Sequence, residues 1–441
     1  MKKLSYPLVT ILLLLFFNSE LLSQTIKITG EIRPRYELRH GYKTLFPDDA
    51  TPANFVSQRT RLNGYFANNT FTAFLSLQDV RVWGDVNQLN KGDVYGLSVH
   101  QAWAQVKLTK FLSLKAGRME IVYDDHRIFG SVGWAQQARS HDAAVFKFFF
   151  GDNHKLDLGF AINAMQESLY KVAYENKNYK TIQWLHYHGD FGKSGLSVLF
   201  LNNGLAYDAD ADTAKYDEKI AYSQTIGARY SLKAQKIKFN VAVYYQGGKN
   251  KANNDLAAMY FGGDVSLHLV KGFSFGLGGE YLSGTATKDK GISGEKDKSF
   301  TPFYGTNHKF NGWMDYFYVG NHGGSVGLID IYIPLVYMVK KVTFKLIPHY
   351  FMSAATVSTA NEAGRGINEW KDYSSGLGTE IDFSVGYAVT KGVVIAGGYS
   401  QMFATETMQV LKGGNYQNTS NWAWVMITFK PTFYNSDNKK K

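Results

Sequence analysis

The chain has 441 residues, with 48 Lys and Arg against 37 Asp and Glu, 43 glycines, 8 prolines and no cysteine. The missing cysteine excludes a disulfide framework, a thiolate metal site and a lipid-modified cysteine, while 45% hydrophobic and 15% aromatic residues exclude a disordered chain. Residues 8–17 form the one long apolar run of the sequence. A membrane-spanning helix needs about 20 such residues, so the composition also excludes a protein with several membrane helices.

Residues 1–23 have the layout of a secretory signal peptide. Lys2 and Lys3 precede the apolar run, and a short segment of polar and small residues follows it up to Ser23. We therefore expect cleavage after Ser23 and export of a mature chain that begins at residue 24. A basic protein outside the cytoplasm is not expected to bind nucleic acid, so the positions of its charges matter more than their sum.

From Ile26 onwards, apolar and charged residues alternate with a period of two, which places them on opposite faces of a β-strand. The apolar face of the first segment has Ile26, Ile28, Ile32, Tyr36 and Leu38. Its charged face has Lys27, Glu31, Arg33, Arg35, Glu37 and Arg39. The same alternation returns along the chain without a sustained helical period, which predicts an all-β fold.

Counting these segments predicts about 18 strands over residues 24–430, with the last strand ending at Phe429 and a polar C-terminal tail at 431–441. Tight turns, such as residues 340–341, alternate with long loops, such as residues 284–323. In hydrocarbon every backbone amide must be paired, so a protein made of strands spans a membrane only as a closed barrel. The sequence therefore predicts a transmembrane antiparallel β-barrel with short periplasmic turns and long extracellular loops, located in the bacterial outer membrane. Its expected surroundings are outer-membrane lipid and lipopolysaccharide.

The charged face of such a barrel points into the lumen. The predicted pore-lining residues of the first four strands are Arg33, Arg35, Arg39, Arg59, Arg61 and Lys107. Guanidinium groups hold carboxylates in paired geometry, and a positive lining lowers the barrier for anions. Alternatively, these arginines form a cross-strand ladder with Glu31 and Glu37 that stiffens the wall without selecting a solute. The residues alone leave both interpretations open.

Two long loops contain the strongest candidates for a site. Mixed charges around Gly130 and Trp134 indicate a loop that folds into the lumen and is held there by ion pairs. The candidate pore-lining and constriction residues in and beside this loop are Arg118, Asp124, Asp125, Arg127, Trp134, Arg139 and Asp142. The second loop contributes Tyr304, His308 and Asp315. Its aromatic residues either line a constriction and stack on sugar rings or form the loop's own small core.

Arg118 lies on the same face of its predicted strand as Leu112, Leu114 and Ala116, which are predicted to face lipid. A charged side chain is costly at that depth. A bulge at Gly117 would turn Arg118 inward, and otherwise the side chain lies above the membrane.

These two loops also carry a family resemblance. The segments that carry it are Gly117-Arg118, Arg127, Gly130, Trp134, Arg139 and Asp142, then Phe303-Tyr304-Gly305, His308-Lys309-Phe310, Gly312 and Asp315. In these segments and in strand number the chain resembles the alginate export (AlgE-like) family of outer-membrane porins, over nearly the whole mature chain. The resemblance implies an Arg-rich lumen that passes an anionic uronate polysaccharide outward, gated by loops and a periplasmic turn. Here, however, the predicted turns are all short, and the predicted lumen also contains the acids Asp157, Glu280, Glu380 and Asp382.

The expected function is passive diffusion of anionic solutes through an Arg-lined lumen, with an alginate-like uronate polysaccharide or its oligomers as the solute. Periplasmic export proteins are further candidate partners. The alternatives are a general anion-preferring porin for small solutes, a barrel hydrolase built on Asp124, Asp125 and His126, and a closed adhesin. We expect no enzyme activity and no cofactor. No metal site is predicted, because Asp208, Asp210 and Asp212 mimic the start of a calcium loop but Thr213 and Lys219 replace its Gly and Glu.

Overall fold

The computed structural model describes residues 24–89, 96–175, 178–209, 217–292, 294–306, 308–318, 322, 325–360 and 370–439. The predicted signal peptide at residues 1–23 lies outside the described residues, as do Asp210 and Asp212 of the calcium-like segment. Among the described residues, no helix has the length and apolar character of a membrane span.

The described residues form 18 antiparallel strands in one closed sheet, which confirms the predicted strand number and fold class. The strands are β1 Thr25–His40, β2 Ala53–Ala67, β3 Phe71–Val82, β4 Ser98–Lys107, β5 Leu112–Met119, β6 His141–Phe150, β7 His154–Ile162, β8 Thr181–Phe191, β9 Ser194–Asp208, β10 Glu218–Lys233, β11 Ile237–Lys249, β12 Asp255–Val270, β13 Phe273–Leu282, β14 Leu328–Tyr332 with Leu335–Val339, β15 Val342–Met352, β16 Gly376–Thr390, β17 Val393–Ala404 and β18 Ser420–Phe429 with Thr432–Asn435. Each strand pairs with its neighbours in sequence, and β1 closes the barrel against β18.

Prolines divide β14 and β18 into two segments each. Pro334 and Pro431 have no N–H to donate, so the ladder is interrupted at these positions. Their carbonyl groups still accept hydrogen bonds from Gly276 and Gly30, both at 2.9 Å. The second segment of β18 then pairs with Lys27 and Ile28 of β1. The predicted barrel end at residue 430 is therefore wrong, because Pro431 interrupts the last strand without ending it.

The barrel exposes apolar side chains and buries charged ones. In β1, Ile28 is 38% exposed and Ile32 44%, whereas Arg33 is 7% exposed and Glu37 1%. This distribution is the inverse of a soluble protein, and it fits a wall whose outer face contacts lipid and whose inner face does not. The alternation of residue types read from the sequence is thus the alternation of lipid-facing and lumen-facing positions.

Connections at one end of the barrel are two to four residues long, and those at the other end are long. The tightest turns rely on residues with positive φ: Gly272 has φ +84°, and a Cβ there would lie 2.2 Å from the carbonyl oxygen of Met338. At the long-loop end, a short hairpin pairs Ser358–Ala360 with Trp370–Asp372, and helix α1 spans Glu406–Lys412. The side chain of Thr405 caps this helix by accepting a hydrogen bond from the backbone N–H of Met408.

Two of the long loops turn into the lumen. We call residues 120–140 loop 3 and residues 283–327 loop 7. Ile128 and Phe129 of loop 3 and Phe300, Met314 and Tyr316 of loop 7 are all at most 3% exposed. They belong to one apolar cluster together with inward side chains of the wall. The core of this protein therefore lies inside the barrel, where side chains of the loops pack on inward side chains of the strands.

Candidate functional site

The inward segments of loops 3 and 7 hold backbone conformations that side chains rarely adopt. Of the eleven non-glycine residues with positive φ in the described part of the chain, four lie in loop 3 and four in loop 7. These eight are Asp124, His126, Val132, Ala138, Phe303, His308, Asn311 and Asp315. Val132 is the most constrained of them because its side chain is β-branched. Such conformations persist only where surrounding contacts fix them, and they concentrate at functional sites.

The two loops bind each other across the lumen through their backbones. The N–H of Gly130 donates to the carbonyl of Tyr304 at 2.8 Å, and the N–H of Thr306 donates to the carbonyl of His126 at 2.9 Å. Arg139 adds a bond from its guanidinium to the carbonyl of Gly305 at 2.9 Å. We call the joined segments, residues 120–140, 299–306 and 308–318, the plug.

Glycine is required where the two segments of the plug approach most closely. A Cβ at Gly130 would lie 2.1 Å from the hydroxyl oxygen of Thr306, and a Cβ at Gly305 would lie 2.3 Å from the carbonyl oxygen of Arg127. Both positions belong to the motif that carries the family resemblance. Their role is to let two backbones come into hydrogen-bonding distance.

On one side, the plug is held by a basic wall, which consists of Arg33 and Arg35 on β1 and Arg59 on β2. Arg33 donates to the carbonyls of Gly133 and Trp134 at 2.8 and 2.9 Å, and Arg35 donates to the carbonyl of Trp134 at 2.8 Å. The arginines also pair with carboxylates on the same wall, Arg35 with Glu37 at 2.8 Å and Arg59 with Glu31 at 2.5 Å. Of the ladder expected from the sequence, the Arg59–Glu31 pair joins β2 to β1, whereas the Arg35–Glu37 pair lies within β1. The remaining donors of these arginines bind loop 3.

In a second sector of the barrel, the plug is held by an acidic wall, which consists of Glu280 on β13, Asp330 on β14, and Glu380 and Asp382 on β16. These carboxylates are buried and accept hydrogen bonds from loop 7. The backbone N–H groups of Trp313 and Met314 donate to Glu380 at 2.5 and 2.8 Å. The side-chain amide of Asn311 donates to Glu280 at 2.7 Å and to Asp330 at 3.2 Å.

Two further contacts complete the acidic wall. Arg127 of loop 3 pairs with Glu280 at 2.6 Å, so the wall holds both loops. Gly312 has φ +81°, and a Cβ there would lie 2.6 Å from a carboxylate oxygen of Glu380. Only glycine can bring the backbone of loop 7 this close to the wall.

Several predicted constriction residues meet at the centre of the plug. The ring of Trp134 stacks on His308 with centroids 4.3 Å apart, and the guanidinium of Arg35 lies 4.2 Å from the centroid of the Trp134 ring. His308 lies 3.2 Å from the carboxylate of Asp315, which also accepts a hydrogen bond from the hydroxyl of Tyr42. The Tyr304 hydroxyl donates to the side-chain oxygen of Asn203 on β9.

Asp124 and Asp125 lie side by side in the sequence but bind different parts of the wall. Asp124 is 3.0 Å from His186 and accepts a bond of 2.5 Å from Ser197, whereas Asp125 pairs with Arg229 at 3.3 Å. Burial by itself raises the pKa of Asp124, but its bonds to His186 and Ser197 hold the pKa below its usual range. His126 contacts Thr306 instead of either carboxylate. The three residues thus anchor the loop at separate points and do not form the acid–base group that a hydrolase would need.

The other predicted pore-lining residues lie away from the plug contacts. Arg39 is half-buried at the long-loop end of β1 and pairs with Glu37 at 2.9 Å. Arg61 donates to Gln78 at 2.8 Å. Lys107 is exposed at the short-turn end of β4.

Arg118 and Asp142 are corrections to the predicted site. They face each other across β5 and β6 and form an exposed ion pair at 2.6 Å, with side chains 47% and 56% exposed. The register of β5 continues through Gly117 without a bulge, so Arg118 stays on the outer face with Leu114 and Ala116. Both residues therefore lie outside the lumen, near the long-loop end of the barrel.

Sequence reasoning missed Gln136 and Asn311 as parts of the site. The side chain of Gln136 accepts a bond from Arg33 at 2.9 Å and donates to the hydroxyl of Ser57 at 3.0 Å. A loop amide shows no periodicity that could mark it as inward. The dipeptide Asn311-Gly312 was a usable signal for Asn311, because it indicates a tight backbone conformation.

Cavities adjoin the plug. The upper cavity, about 450 Å³ at the long-loop end, is lined by Arg35, Arg39, Tyr42, Lys43, Phe55, Arg81 and Trp134 among others. The lower cavity, about 330 Å³ towards the short-turn end, is lined by Asp125, Arg229, Asn240, Asp264, Lys309 and Phe310 among others. The two cavities share no lining residue, and residues of the plug contribute to the lining of both.

A family model described as Alginate export matches residues 24–421. The chain belongs to the alginate export family. No curated protein sequence matches the chain. Its fold is similar to that of OccAB3 from Acinetobacter baumannii, with 12% identity, a TM-score of 0.61, and coverage of 92% of this chain and 99% of that one.

Two further solved structures have the same fold. OccAB4 from Acinetobacter baumannii has 13% identity, a TM-score of 0.59, and coverage of 94% of this chain and all of that one (100%). OccK8 (OprE) from Pseudomonas aeruginosa has 11% identity, a TM-score of 0.58, and coverage of 93% and 98%. With the family match, the barrel is an outer-membrane porin or export channel, located in the bacterial outer membrane. The short turns are then periplasmic and the long loops extracellular.

Proposed function

We propose that this channel passes anionic solutes by passive diffusion, and that its solute is an alginate-like uronate polysaccharide or its oligomers. The observation that carries the proposal is the composition of the upper cavity. Its cations Arg35, Arg39 and Lys43 stand among aromatic rings, and the guanidinium of Arg39 lies 4.3 Å from the ring of Tyr42 and 4.8 Å from that of Phe55. Guanidinium groups pair with carboxylates, and aromatic rings pack on the apolar faces of sugar rings.

The acids of the same cavity are already bound by protein groups. Glu37 pairs with Arg35 and Arg39, and Asp315 accepts from Tyr42 and lies beside His308. The third acid, Asp85, accepts a hydrogen bond from the backbone N–H of Val82 at 2.9 Å. Their charges are therefore partly compensated in place. Lys43 contacts aromatic rings, 4.4 Å from the ring of Tyr318, and makes no ion pair within the described part of the chain. It supports the positive character of the extracellular entrance.

Passage of a polymer requires the plug to leave the lumen, since residues of the plug line both cavities. A second candidate, an anion-preferring porin for small solutes, is favoured by this same barrier, because water and small ions need narrower openings than a sugar chain. The two candidates differ in the length of the solute that enters. Uronate oligomers of increasing length therefore distinguish them.

The test is single-channel recording of the purified protein in planar bilayers. Under a salt gradient, the reversal potential should show a preference for anions, and uronate oligomers should block the current more strongly than neutral glucose oligomers of equal length. Arg39→Gln should lower both the anion preference and the block. Arg118→Gln removes the same charge from the outer face and serves as the matched control, with both readouts unchanged. A preference for cations would contradict the proposal. If short uronate oligomers block the current and longer ones do not, the result would favour the small-solute porin.

A further inference from the structure

The periplasmic turns of the barrel form a ring of lysines. The turns comprise residues 68–70, 108–111, 151–153, 192–193, 234–236, 271–272, 340–341 and 391–392. Their basic residues are Lys110, Lys193, Lys236, Lys271, Lys340, Lys341 and Lys391, against the single acid Asp152. Six of the eight turns therefore carry lysine, while the extracellular loops mix both signs, as in the segment Glu295-Lys296-Asp297-Lys298 of loop 7.

Most of these ammonium groups have no side-chain partner among the residues that the structure describes. All seven lysines are exposed. The Nζ atom of Lys341 donates to the carbonyl of Val389 at 2.9 Å. For the other six, which we call the rim lysines, no ion pair or side-chain hydrogen bond joins them to the described part of the chain. They are therefore available to an anion outside the barrel.

The rim lysines lie at the level where the lipid-facing surface ends. Phe111 follows Lys110 directly and is 54% exposed, and Val270 precedes Lys271 and is 67% exposed. The turns around Lys193, Lys271, Lys340 and Lys391 have only two residues, so each lysine stays within about one residue of a strand end, roughly 3.3 Å along the strand. Lysine beside a belt of exposed apolar and aromatic side chains is the arrangement of a membrane–water interface.

The distribution of the rim lysines around the barrel indicates which kind of anionic partner they contact. Five of the six lysine-bearing turns are consecutive, from the β8–β9 turn to the β16–β17 turn, so the lysines extend over more than half of the circumference. A band of this width is wider than the patch on which a single protein segment docks. An annulus of lipid touches every turn at the same depth. Basic side chains close to a bilayer surface attract anionic headgroups, and the attraction weakens with salt.

We propose that the rim lysines bind the headgroups of anionic glycerophospholipids in the inner leaflet of the outer membrane. The lipid annulus on the periplasmic side is then enriched in phosphatidylglycerol-type lipid over zwitterionic lipid. This inference is independent of the solute that the channel passes.

The experiment measures lipid preference on the mature chain reconstituted in phosphatidylcholine vesicles. Spin-labelled phosphatidylglycerol and spin-labelled phosphatidylcholine are compared by electron paramagnetic resonance, which separates lipid at the protein surface from bulk lipid. We expect a preference for phosphatidylglycerol of at least about threefold, falling close to one when all six rim lysines are changed to glutamine. The matched control changes six lysines of the extracellular loops to glutamine and should keep the full preference. Its positions are Lys171, Lys251, Lys288, Lys296, Lys298 and Lys371.

Two further measurements keep the test decisive. High salt on the unaltered protein should reduce the preference without any substitution, and a variant with arginine at the six rim positions should retain it. Equal association of the two lipids with the unaltered protein, or a full preference in the glutamine variant, would overturn the proposal. It would also be overturned if the glutamine variant lost binding to purified peptidoglycan sacculi while its lipid preference stayed the same.

Discussion

The basic and acidic walls hold the same plug by opposite means. Arg33 and Arg35 donate to loop carbonyls, whereas Glu380 accepts from loop N–H groups. A peptide backbone offers both kinds of group, so a lumen with charges of opposite sign on different sectors of its wall can bind an irregular segment without matching side chains. A buried charge that has no partner is destabilising because it has lost its contacts with water. The buried charges of both walls accept or donate hydrogen bonds, so they avoid this cost. The arginines of this lumen therefore serve first as anchors, and the anion path is left to cations such as Arg39 and Lys43.

The largest effect should come from removing loop 3, the part of the plug that contacts the basic wall. Replacing residues 121–139 by a short Gly-Ser link takes away these contacts and the Arg127–Glu280 pair, while loop 7 keeps its bonds to Glu380. An 18-stranded barrel is wide enough for an aqueous channel beside the remaining loop. We expect the single-channel conductance to rise by about an order of magnitude. Shortening the loop at residues 163–173 serves as the control, because that loop lies outside the plug. Unchanged conductance after removal of loop 3 would show that the plug is not the barrier.

A smaller change in single-channel conductance is expected from substitutions in the acidic wall. Glu380→Gln combined with Asp382→Asn weakens the bonds from the N–H groups of Trp313 and Met314, because the amide oxygens must be held by a side chain that no longer fits as a carboxyl group does, and a buried hydrogen bond contributes about 0.5–1.5 kcal/mol. Loop 7 should fluctuate, so that the mean conductance rises a few-fold with noisier current. Loop 3 remains on the basic wall, which limits the change. Glu406→Gln, in an exposed pair with Lys371, is the control.

A still smaller effect on conductance is expected from the basic wall, together with a distinct pattern of selectivity. Arg33→Gln weakens the bonds to Gly133 and Trp134, so the current should become noisier. The anion preference should change little, because this guanidinium is occupied by loop carbonyls. Arg39→Gln should show the opposite pattern, with steady current and reduced anion preference. The same pattern in both variants would contradict the division between anchoring and solute-binding arginines.

The smallest expected effect is the change of the open probability with pH. Burial alone would raise the pKa of Asp315, but His308 and the Tyr42 hydroxyl hold it below its ordinary value of 3.8. A group with a lowered pKa stabilises the folded loop above its ordinary pKa, and this contribution is lost as the pH falls through the lowered value. The open probability should therefore show no step from Asp315 between pH 8 and about pH 5, and it should rise only below pH 3.8. Asp315→Asn should abolish the acid step. A step above pH 5 that disappears in this variant would contradict the assignment.

Residue alternation predicted the wall well, because each strand position has a fixed face. Arg33 and Glu380 were both placed inward from parity alone, and the structure buries both. Arg118 was misplaced because the lumen assignment invoked a bulge at Gly117, and the ladder is regular there. The predicted strand end at Phe429 was wrong because the last strand continues past Pro431 and pairs with β1 again. A proline usually interrupts a ladder of backbone hydrogen bonds.

The plug contacts were beyond the reach of the sequence. Arg33 and Gly133 are 100 residues apart, and their bond depends on the path of an irregular loop. A carbonyl group belongs to every residue, so no residue type marks Gly133 as the partner of Arg33. What the sequence did carry was the composition of loop 3, whose charges around glycine and tryptophan predicted a folded inward segment.

The central claim is that the plug closes the lumen and must move for a uronate chain to pass. Because the chain has no cysteine, Ser57→Cys combined with Gln136→Cys allows a short bis-methanethiosulfonate reagent, which forms a reducible disulfide with each cysteine, to tie loop 3 to β2. In the unaltered protein Nε2 of Gln136 donates to Oγ of Ser57 at 3.0 Å, so the two positions are close. The measurement is the flux of uronate oligomers through vesicles that contain this variant, before and after cross-linking. We expect the disulfide-linked channel to lose the flux and to regain it on reduction. Equal flux through the linked and the reduced channel would contradict the account.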